Sequence, residues 1–572
     1  MTLNENSLFA PPILPEITYN PDAPNGFDWP IPENANMAEL CCDRWSRVQP
    51  ERVALTHVNE DGQSRDWCYR ELHQASCNLA AYLSQLGITS GDRIALLLSQ
   101  SPEALITHFA CYRIGAIALP LFTLFGVDAL QFRLADSGAK LLVTDTSQID
   151  KIANLEGQLP ALAHVLICGR ENGRENDREI DSDNALPSMK TERFEAATRE
   201  QATLEDWPAI AHKDAPAMMI YTSGTTGAPK GALHAHRFLL GHLPNVEISH
   251  NGLGHKHDKG WTPADWAWIG GLMDLAMPCL YYGVPLVAMR FVKFDASKAF
   301  AFIAKHQIRN MFLPPTALKL MRFAEAEHGL PKGVSIRSIA SGGEALPEAV
   351  VSWAKQRLGV DINEIYGQTE CNLVISSQRP HNRLPEGAMG TAVHGHQVAI
   401  LDTNNKPCPP GILGEIAVKT PDPVMMLGYW GQPEKTAEKI SDGWLRTGDM
   451  GSMDKDGMFT FIARDDDVIT SAGYRVGPSE IENCLMQHPR VQLAAVIGLP
   501  DPIRTEIITA CIVPDQHERL EALEEDLKKL VKNRLSPHLM PKRFVWQETL
   551  PLTATGKIMR RHLRGALTSK LK

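Results

Sequence analysis

A segment rich in glycine and hydroxyl side chains, YTSGTTGAPKG at 221–231, has the composition of a loop that binds phosphate. It follows the apolar run APAMMI, which predicts a strand, so the loop is expected to begin where that strand ends. Glycines let backbone N–H groups turn toward an anion, hydroxyls add donors and the lysine adds a cation. The segment is not a Walker A loop, because Pro229 precedes the lysine and Gly231 follows it. The candidate phosphate ligands are Thr222, Ser223, Gly224, Thr225, Thr226, Gly227 and Lys230.

Short apolar strands must position this loop, and strands alternate with helices from residue 93 to residue 145. The run RIALLLSQ predicts a strand, after which Ser101 caps a helix whose first turn holds Pro102. AIALPL predicts a second strand, GVDALQFRLADSG a helix and KLLVTD a third strand. Buried strands that alternate with helices indicate a parallel sheet with helices on its faces, so the fold class is α/β.

Two domains are expected, because 572 residues exceed what one ordinary core holds. The charged, irregular stretch at 169–208 is interpreted as a surface excursion within the first domain. A boundary fits better at FIARDDDVITSAGYRVG, where acidic residues precede a glycine-containing turn. The module beyond it contains two predicted strands, LAAVIGLP and IITACIVP, and a predicted helix at 518–535. The chain is therefore divided into 1–465 and 466–572.

The charge balance limits the class of partner. The net charge is −10, and no basic stripe with interleaved aromatic residues offsets it, so nucleic acid is not expected as a partner. Lysines and arginines close to a bound nucleotide remain compatible with a globally acidic protein, because salt screens distant charges within roughly 10 Å. The overall sign therefore does not argue against ATP.

Cysteine usage and the N-terminal sequence favour a cytoplasmic protein. Eleven cysteines are spread over the chain without CxxC pairs, which is typical of reduced thiols. The N-terminal sequence has neither an apolar signal core nor an arginine-rich amphipathic pattern, so secretion and organelle import are not expected. Two apolar stretches, 104–127 and 266–289, approach the length of a membrane span. Charged residues and prolines interrupt both, so we expect no membrane span.

Five further motifs follow the loop in order. They are SGGEAL at 341–346, NEIYGQTE at 363–370, GWLRTGDMG at 443–451, ARDDDVITSAGYRVGPSEIE from Ala463, and PLTATGK ending at Lys557. Together with the loop they resemble the adenylate-forming superfamily, which includes acyl-CoA synthetases, peptide-synthetase adenylation domains and luciferases. The resemblance covers nearly the whole chain, and six ordered motifs are more specific than any one alone.

The resemblance implies a fold and a reaction. The fold is a large N-terminal domain of stacked mixed and parallel sheets with helices, followed by a small mobile α+β domain. The reaction joins a carboxylic acid to CoA: ATP and the acid give an acyl-adenylate and pyrophosphate, and CoA then gives an acyl-CoA and AMP. The implied cofactors are ATP, CoA and Mg²⁺.

The motifs also imply the nucleotide pocket. The GEA segment resembles the backbone wall along adenine, and Tyr366 resembles the aromatic residue that stacks on adenine. Thr369 and Glu370 would face the phosphates as catalytic residues, Glu370 by holding Mg²⁺, which prefers carboxylate and phosphate oxygens. The nucleotide ligands implied by the motifs beyond the loop are Gly343, Glu344, Ala345, Glu364, Tyr366, Gly367, Gln368, Thr369, Asp449, Arg464 and Arg475.

The resemblance implies a distinct role for each charged residue in the later motifs. Asp449 resembles the carboxylate that binds the ribose hydroxyls, and a carboxylate can accept two hydrogen bonds from a diol. Arg464 resembles a second ribose contact, and Arg475 resembles a residue that binds phosphate or neighbouring groups in one conformation. Lys557 resembles the catalytic cation: the attacking carboxylate and the α-phosphate are both anions, so a cation that bridges them stabilises the developing charge. An exposed lysine without a role is the alternative interpretation.

The resemblance implies that the small domain rotates, so that one site catalyses both half-reactions. Asp466 matches the hinge position. The positions that match CoA contacts in medium-chain relatives are Ala472, Gly473, Tyr474, Arg504 and Lys532. Two residues depart from the pattern: Ala463 stands where a glycine usually begins the segment, and Ala472 stands where a serine often supplies a hydroxyl to CoA. These departures weaken the detailed thiol contacts but not the reaction class.

The acid is expected to be larger than acetate. Relatives restricted to acetate carry a bulky tryptophan where this chain has Tyr366 and Gly367, and loss of the indole would open the acyl pocket. Each additional buried CH₂ could then contribute about 0.8 kcal/mol. WTPADWAWIGG at 261–271 resembles the acyl-pocket region of medium-chain acyl-CoA synthetases, although its tryptophans could equally be core residues. The candidate lining residues are Trp266, Trp268, Gly270 and Gly367.

The sequence favours a CoA ligase for a short-chain, medium-chain, branched or aryl acid, and two other functions are alternatives. One is a stand-alone adenylation enzyme that loads a carrier protein, although the sequence after Lys557 offers no room for an attached carrier. The other is a non-catalytic nucleotide-binding regulator, against which the complete set of motifs argues. The sequence leaves the oligomeric state open, with a homodimer as one option.

Overall fold

The computed structural model has helices packed against mixed β-sheets and a smaller C-terminal domain, which confirms the predicted α/β class. It describes residues 9–24, 26–169, 186–199, 202–203, 207, 209–222, 228–379, 384–385, 387–464, 467, 469–471, 474–501, 504–515, 520–535, 539–553 and 557–569. Most of the charged stretch predicted as a surface excursion lies outside these residues.

The strands predicted between residues 93 and 145 form the centre of an eight-stranded sheet. Arg93–Leu97 pairs in parallel with Ile117–Pro120 on one side and with Leu141–Asp145 on the other. Their side chains are largely buried, because packing covers both faces of the sheet, and this explains their continuous apolar runs. In order across the sheet, the strands are Gly428–Tyr429, Lys230–Ala235, Pro216–Thr222, Ile117–Pro120, Arg93–Leu97, Leu141–Asp145, His164–Cys168 and Lys190–Arg193.

Two helices of this unit begin and end as the sequence predicts. In the helix Pro102–Ile114, Ser101 Oγ accepts a hydrogen bond from Ala104 N at 3.3 Å, which caps the first turn. Gly115 ends the helix with φ of 71°, a left-handed conformation that glycine adopts without strain. The second predicted helix is Val127–Ser137.

A larger mixed sheet carries the motifs of the N-terminal domain. Ser338–Gly342 and Ile362–Gln368 pair in parallel, which brings the SGGEAL and NEIYGQTE motifs together at their carboxyl ends. In order across the sheet, its strands are Val398–Leu401, Gly414–Lys419, Trp444–Met453, Phe459–Arg464, Ala388–Ala392, Cys371–Ser376, Ile362–Gln368, Ser338–Gly342, Asn310–Phe312, Gly260–Trp261, Leu286–Ala288, Val53–Val58 and Ser64–Cys68, with Ile440–Ser441 beside Trp444–Met453. A separate two-stranded sheet pairs Thr18–Tyr19 with Phe27–Asp28.

The C-terminal domain has its own sheet and its own apolar cores. Its longest strands, Val491–Asp501 and Thr505–Pro514, contain the two predicted strands and pair antiparallel. The other strands are Ile469–Ser471, Tyr474–Val476 and Arg543–Trp546. The predicted helix is Leu520–Arg534, and the two residues predicted before it lie outside the described part. The proposed boundary at 465/466 also falls outside the described residues, so this division of the chain stays a prediction.

Helices surround both large sheets. The described α-helices are Arg44–Val48, Tyr69–Gln85, Pro102–Ile114, Val127–Ser137, Ile149–Ala153, Phe194–Ala197, Arg237–Ser249, Ile269–Gly271, Met277–Tyr282, Ala296–His306, Pro315–His328, Glu348–Trp353, Pro433–Lys439, Pro478–Leu485, Leu520–Arg534 and Arg560–Ser569. Short 3₁₀ turns span Leu14–Glu16 and Thr146–Gln148, and π-helical turns span Glu39–Asp43, Leu272–Ala276 and Ala354–Leu358. Among the described helices, none combines the length and apolar character needed to cross a membrane.

Candidate active site

An antiparallel strand pair forms the base of the candidate phosphate loop. Pro216–Thr222 pairs with Lys230–Ala235, and Thr222 lies opposite Lys230. The loop therefore starts at the end of a strand, as predicted. Lys230 Nζ lies 4.3 Å from the centroid of the Tyr429 ring. Ser223, Gly224, Thr225, Thr226 and Gly227 lie outside the described residues, so their contacts with phosphate stay a prediction.

Tyr429 orients Glu370, the candidate metal ligand, although sequence reasoning did not single out this tyrosine. Tyr429 Oη donates a hydrogen bond to Glu370 Oε1 at 2.6 Å. Pairing of the strand Gly428–Tyr429 with Lys230–Ala235 places the tyrosine beside the base of the loop. Burial and the nearby carboxylate raise the pKa of Tyr429, so its hydroxyl stays protonated and can donate. One ring thus contacts both the lysine and the carboxylate expected near phosphate.

Asp449 joins two of the predicted nucleotide-binding motifs. Tyr366 Oη donates to Asp449 Oδ2 at 2.7 Å, and Gln368 Nε2 donates to the same oxygen at 2.8 Å. Arg464, opposite Asp449 in the neighbouring strand, places Nε 3.8 Å from Oδ1. Because two protein donors hold Oδ2, the position of the carboxylate is fixed while Oδ1 can still accept hydrogen bonds. This arrangement suits recognition of a diol.

A half-buried lysine outside the predicted motifs, Lys439, supports the same network. Its Nζ donates to Gln368 Oε1 and to the Thr447 carbonyl oxygen, both at 3.1 Å. The lysine thereby fixes the orientation of the Gln368 amide, whose Nε2 points to Asp449. Burial lowers the pKa of Lys439, an effect that the Glu370 and Asp449 carboxylates oppose. No local sequence pattern marks this residue, because it ends a short helix outside the motifs.

In the predicted adenine wall, the side chain of Glu344 contacts two other residues of the protein. Thr316 Oγ1 donates to Glu344 Oε2 at 2.9 Å, and Lys319 Nζ lies 3.9 Å from the same oxygen. The Glu344 carboxylate is therefore tied to the helix Pro315–His328. In the adjacent strand, burial raises the pKa of Glu364 to about 7. Glu364 is consequently a much weaker acid than an exposed glutamate.

Lys557 of the C-terminal domain lies against the N-terminal motifs. Its Cε would be 3.3 Å from a Cβ added to Gly343, and its Nζ is 5.9 Å from the centroid of the Trp268 ring. Two hydrogen bonds join Lys557 to Thr553: Lys557 N donates to Thr553 Oγ1 at 3.0 Å, and Thr553 N donates to Lys557 O at 2.7 Å. This lysine is distant in the sequence from the N-terminal motifs, but the fold places it at the candidate nucleotide pocket.

The surroundings of Lys557 predict an alkaline limit on activity. Burial lowers the pKa of Lys557 below the ordinary 10.5, although neighbouring carboxylates oppose this shift. A lowered pKa means that the ammonium loses its charge at a lower pH than free lysine does. The rate of pyrophosphate release should therefore fall as pH rises through this lowered pKa. The Lys557→Arg variant stays charged and should lack this decline, whatever its maximal rate. An identical alkaline decline in the variant would contradict this assignment.

Lys557 also lines a small cavity of about 40 Å³. The wall residues are Trp268, Ile269, Asp274, Gly342, Gly343, Ile365, Gly367, Gln368, Thr369, Asn372, Leu373 and Lys557. The cavity therefore brings the lysine and Thr369 together with two of the predicted acyl-pocket residues. A wall that combines apolar side chains with several convergent polar groups suits a small organic acid. A larger cleft of about 490 Å³ at Glu348, Leu384 and Arg534 contains none of the predicted site residues.

The predicted acyl-pocket residues differ in how they relate to this cavity. Trp268 and Gly367 line it, whereas Trp266 is buried in the main apolar core. A Cβ at Gly270 would lie 3.0 Å from the Trp268 indole, so this glycine makes room for the ring. A Cβ at Gly367 would lie 2.2 Å from Leu373 N. The neighbouring backbone therefore excludes any residue larger than glycine at position 367. This restriction is separate from the effect of the side chain on the size of the acyl pocket.

The predicted hinge and thiol-binding residues do not gather at this cavity within the described part of the chain. Asp466, Ala472 and Gly473 lie outside the described residues, and only the backbone of Tyr474 and Arg475 is described. Arg504 and Lys532 are exposed on the C-terminal domain. Their roles stay predictions.

Family comparisons agree with this geometry along nearly the whole chain. The family model of the AMP-binding enzyme matches residues 42–430, and that of the AMP-binding enzyme C-terminal domain matches residues 480–557. Acyl-coenzyme A synthetase ACSM4, mitochondrial, of Homo sapiens is 31% identical over 559 residues, which cover 95% of this chain and 92% of that protein.

Solved structures resemble the fold over similar lengths. The anthranilate CoA ligase AuaEII in complex with anthranoyl-AMP has a TM-score of 0.81 and 27% identity, covering 95% of this chain and 99% of that chain. The Brucella canis acyl-CoA synthetase has a TM-score of 0.70 and 32% identity, covering 94% and 95%. The predicted resemblance and reaction class are thus confirmed: the chain belongs to the AMP-binding enzyme family and is an adenylate-forming carboxylate–CoA ligase.

Proposed function

We propose that Lys557 catalyses the attack of a short-chain, medium-chain, branched or aryl carboxylate on the α-phosphate of ATP. A carboxylate oxygen bonds to the α-phosphorus and pyrophosphate leaves; the CoA sulfur then bonds to the acyl carbon and AMP leaves, while the thiol proton passes to solvent. The observation that carries the proposal is the shared cavity of Lys557, Thr369 and Gly367. A cation beside the reacting oxygens stabilises the charge that develops as they approach.

The nucleotide is proposed to lie between the phosphate loop and Asp449. The loop and Lys230 would bind the phosphates, Asp449 and Arg464 the ribose, and residues 343–345 with Tyr366 the adenine. This assignment is supported by the hydrogen bonds that Tyr366 and Gln368 donate to Asp449, because they hold its carboxylate ready for the ribose hydroxyls.

Glu370 is proposed to hold Mg²⁺ together with the phosphates of ATP. The donor set fits this ion, because Mg²⁺ in phosphate sites is usually bound by one or two carboxylates, substrate oxygens and water. The described residues contain no cluster of three or more potential metal ligands, so the substrate must supply part of the coordination. When bound, the ion would neutralise charge on the departing pyrophosphate.

The Tyr429→Phe variant tests this assignment. The tyrosine hydroxyl orients Glu370, and a hydrogen bond to a charged group is worth about 1.5–3 kcal/mol. We expect the Mg²⁺ concentration needed for half-maximal activity to rise about 10-fold, measured at saturating ATP and acid. Tyr19→Phe is a matched control, because Tyr19 is 68% exposed. An unchanged Mg²⁺ dependence in Tyr429→Phe would remove the proposed role.

The second half-reaction is proposed to use a rotated C-terminal domain. Asp466 would act as the hinge, Arg475 would contact phosphate or neighbouring groups in one conformation, and Ala472, Gly473, Tyr474, Arg504 and Lys532 would face CoA. Basic side chains suit the phosphates of CoA, which supports Arg504 and Lys532. The hinge and the division at 465/466 belong to the same proposal.

The enzyme is proposed to work in the cytoplasm, alone or as a homodimer. All eleven cysteines are free thiols, which fits a reducing compartment. Cell fractionation tests the location. Sedimentation tests the assembly, because a homodimer has twice the chain mass of 63.2 kDa.

Product analysis with a panel of acids tests the proposed function. With ATP, Mg²⁺ and CoA, an accepted acid should give AMP, pyrophosphate and acyl-CoA in equal amounts. The panel should span C2 to C10 alkyl, branched and aryl acids. Release of pyrophosphate without acyl-CoA, with the AMP retained in the acyl-adenylate, would favour transfer to a carrier protein. Failure of every acid to release pyrophosphate would overturn the proposal.

A further inference from the structure

One acidic side chain, Asp274, lies in the wall of the cavity that contains Lys557. It is 5% exposed and belongs to the π-helical turn Leu272–Ala276. Such turns occur often at functional sites, because the extra residue changes the direction of side chains. Apolar groups that include Trp268 and Leu373 share the wall. A carboxylate in this environment costs free energy unless its oxygens find donors.

The surrounding network supplies Asp274 with one donor. Asn372 Nδ2 donates to Asp274 Oδ1 at 2.6 Å, and the same amide nitrogen lies 3.0 Å from His242 Nε2. His242 Nδ1 donates to the Phe238 carbonyl oxygen at 2.7 Å, so Nε2 of the neutral ring is an acceptor. Burial lowers the pKa of His242 to about 3, which keeps the ring neutral. Both amide hydrogens of Asn372 are therefore used inside the protein.

Beside Asp274 and Asn372, the hydrogen-bonding capacity left in the cavity wall is that of acceptors, whereas Lys557 supplies donors elsewhere in the wall. Asp274 Oδ2 and Asn372 Oδ1 accept no side-chain hydrogen bond within the described part of the chain, while Asn372 has no N–H left to donate. The amide cannot be reversed, because its oxygen would then face two acceptors. Burial raises the pKa of Asp274, an effect that Asn372 and the positive charge of Lys557 oppose. A ligand group that brings a hydrogen-bond donor can pair with Asp274 Oδ2 and Asn372 Oδ1.

We propose that the enzyme activates short carboxylic acids that carry a hydroxyl or amino group, and that Asp274 and Asn372 select them. This inference rests on the proposed function, because it assumes that the cavity seats the acid. The substrate carboxylate lies toward Lys557, and its hydroxyl or ammonium group donates to Asp274 Oδ2 and Asn372 Oδ1. An unsubstituted alkyl acid offers no donor to either oxygen, which opposes its binding.

The size of the cavity sets the expected length of the acid. The cavity is small, at about 40 Å³, which favours short chains in which two or three carbons separate the carboxylate from the donor group. The matched probes are butyrate, 3-hydroxypropionate and 3-aminopropionate, which differ in their terminal methyl, hydroxyl or ammonium group. Pentanoate, 4-hydroxybutyrate and 4-aminobutyrate form the next longer set.

Comparison of kcat/KM within each set tests the inference. Wild-type enzyme should prefer at least one donor-bearing acid over its alkyl counterpart by about 10²-fold, because an analogue without the donor leaves polar groups of the site unpaired. Preference for the alkyl acid in both sets would overturn the inference while leaving the proposed function intact. Pyrophosphate release with none of the six acids, but with other acids, would also overturn it. No release with any acid would overturn the proposed function as well.

Two substitutions identify the responsible side chain and separate the two donor groups. Asp274→Leu should reduce kcat/KM for the preferred acid about 10²-fold and raise it for the alkyl counterpart, a gain that a misfolded protein cannot produce. Asp274→Asn must turn its carbonyl oxygen toward Asn372 Nδ2 and present its NH₂ to the ligand, so it should retain hydroxy acids, whose oxygen can accept, and reject ammonium acids, which cannot. The matched control is Asp128→Leu, an exposed residue in the first turn of Val127–Ser137. An unchanged order of preference in Asp274→Leu would contradict the proposed selection.

Discussion

The Lys557→Ala variant is expected to lose acyl-adenylate formation by about 10²-fold to 10³-fold or more. This is the range seen when one preorganised group that stabilises developing charge is removed from an active site. The lysine is partly buried beside Gly343 and Trp268, where charges interact more strongly than in bulk water. Pyrophosphate release with ATP and an accepted acid measures the loss. The KM for ATP should change less than kcat, because the interaction strengthens as the two anions approach.

Separate assays of the two half-reactions distinguish a loss of adenylation from a loss of thioester formation. Supplied acyl-adenylate and CoA should still give acyl-CoA with Lys557→Ala, because that step is assigned to another face of the C-terminal domain. Lys529→Ala is a matched control, since the side chain of Lys529 is 71% exposed on the same domain. Equal losses in both half-reactions, with an unchanged melting temperature, would contradict the assignment of the lysine to adenylation.

The Asp449→Ala variant is expected to raise the KM for ATP about 10²-fold or more. Its carboxylate is assigned to the two ribose hydroxyls, and hydrogen bonds to charged groups are worth about 1.5–3 kcal/mol each. The KM for the acid should change much less, because Asp449 does not line the cavity that contains Lys557. Initial-rate measurements with each substrate varied in turn provide the comparison.

Loss of Asp449 also removes the acceptor for Tyr366 and Gln368, so stability needs its own control. Asp449→Asn keeps the shape of the side chain and should have a smaller effect on the KM for ATP. Asp456→Ala changes an exposed residue in the turn after the strand Trp444–Met453, which carries Asp449. This control should leave ATP binding unchanged. Equal changes in the KM values for ATP and for the acid would point to a general loss of structure.

The elements around the phosphate loop could be predicted because local signals determine them. Ser101 and Pro102 mark the start of a helix, and Gly115 ends it, whatever the rest of the chain does. The apolar run before Thr222 is long enough for a strand, so the loop had to begin at its end. The ordered motifs then indicated the family and the candidate nucleotide ligands.

The wall of the cavity could not be predicted in the same way. His242, Asp274 and Asn372 come from two helical segments and a strand that are far apart in the sequence, and packing alone brings them together. Tyr429 and Lys439 likewise act through contacts with Glu370 and Gln368 that no local pattern encodes. Such contacts depend on the tertiary arrangement, which periodicity and motif spacing do not specify.

Oxygen-18 transfer from the acid is the most direct test of the central claim that a carboxylate attacks the α-phosphate of ATP. An accepted acid labelled in both carboxylate oxygens should react with unlabelled ATP and CoA to give AMP that carries one labelled oxygen, with unlabelled pyrophosphate. The acyl-CoA should keep the other labelled oxygen. Mass spectrometry of the products distinguishes these outcomes. Unlabelled AMP, or label in pyrophosphate, would contradict an acyl-adenylate intermediate.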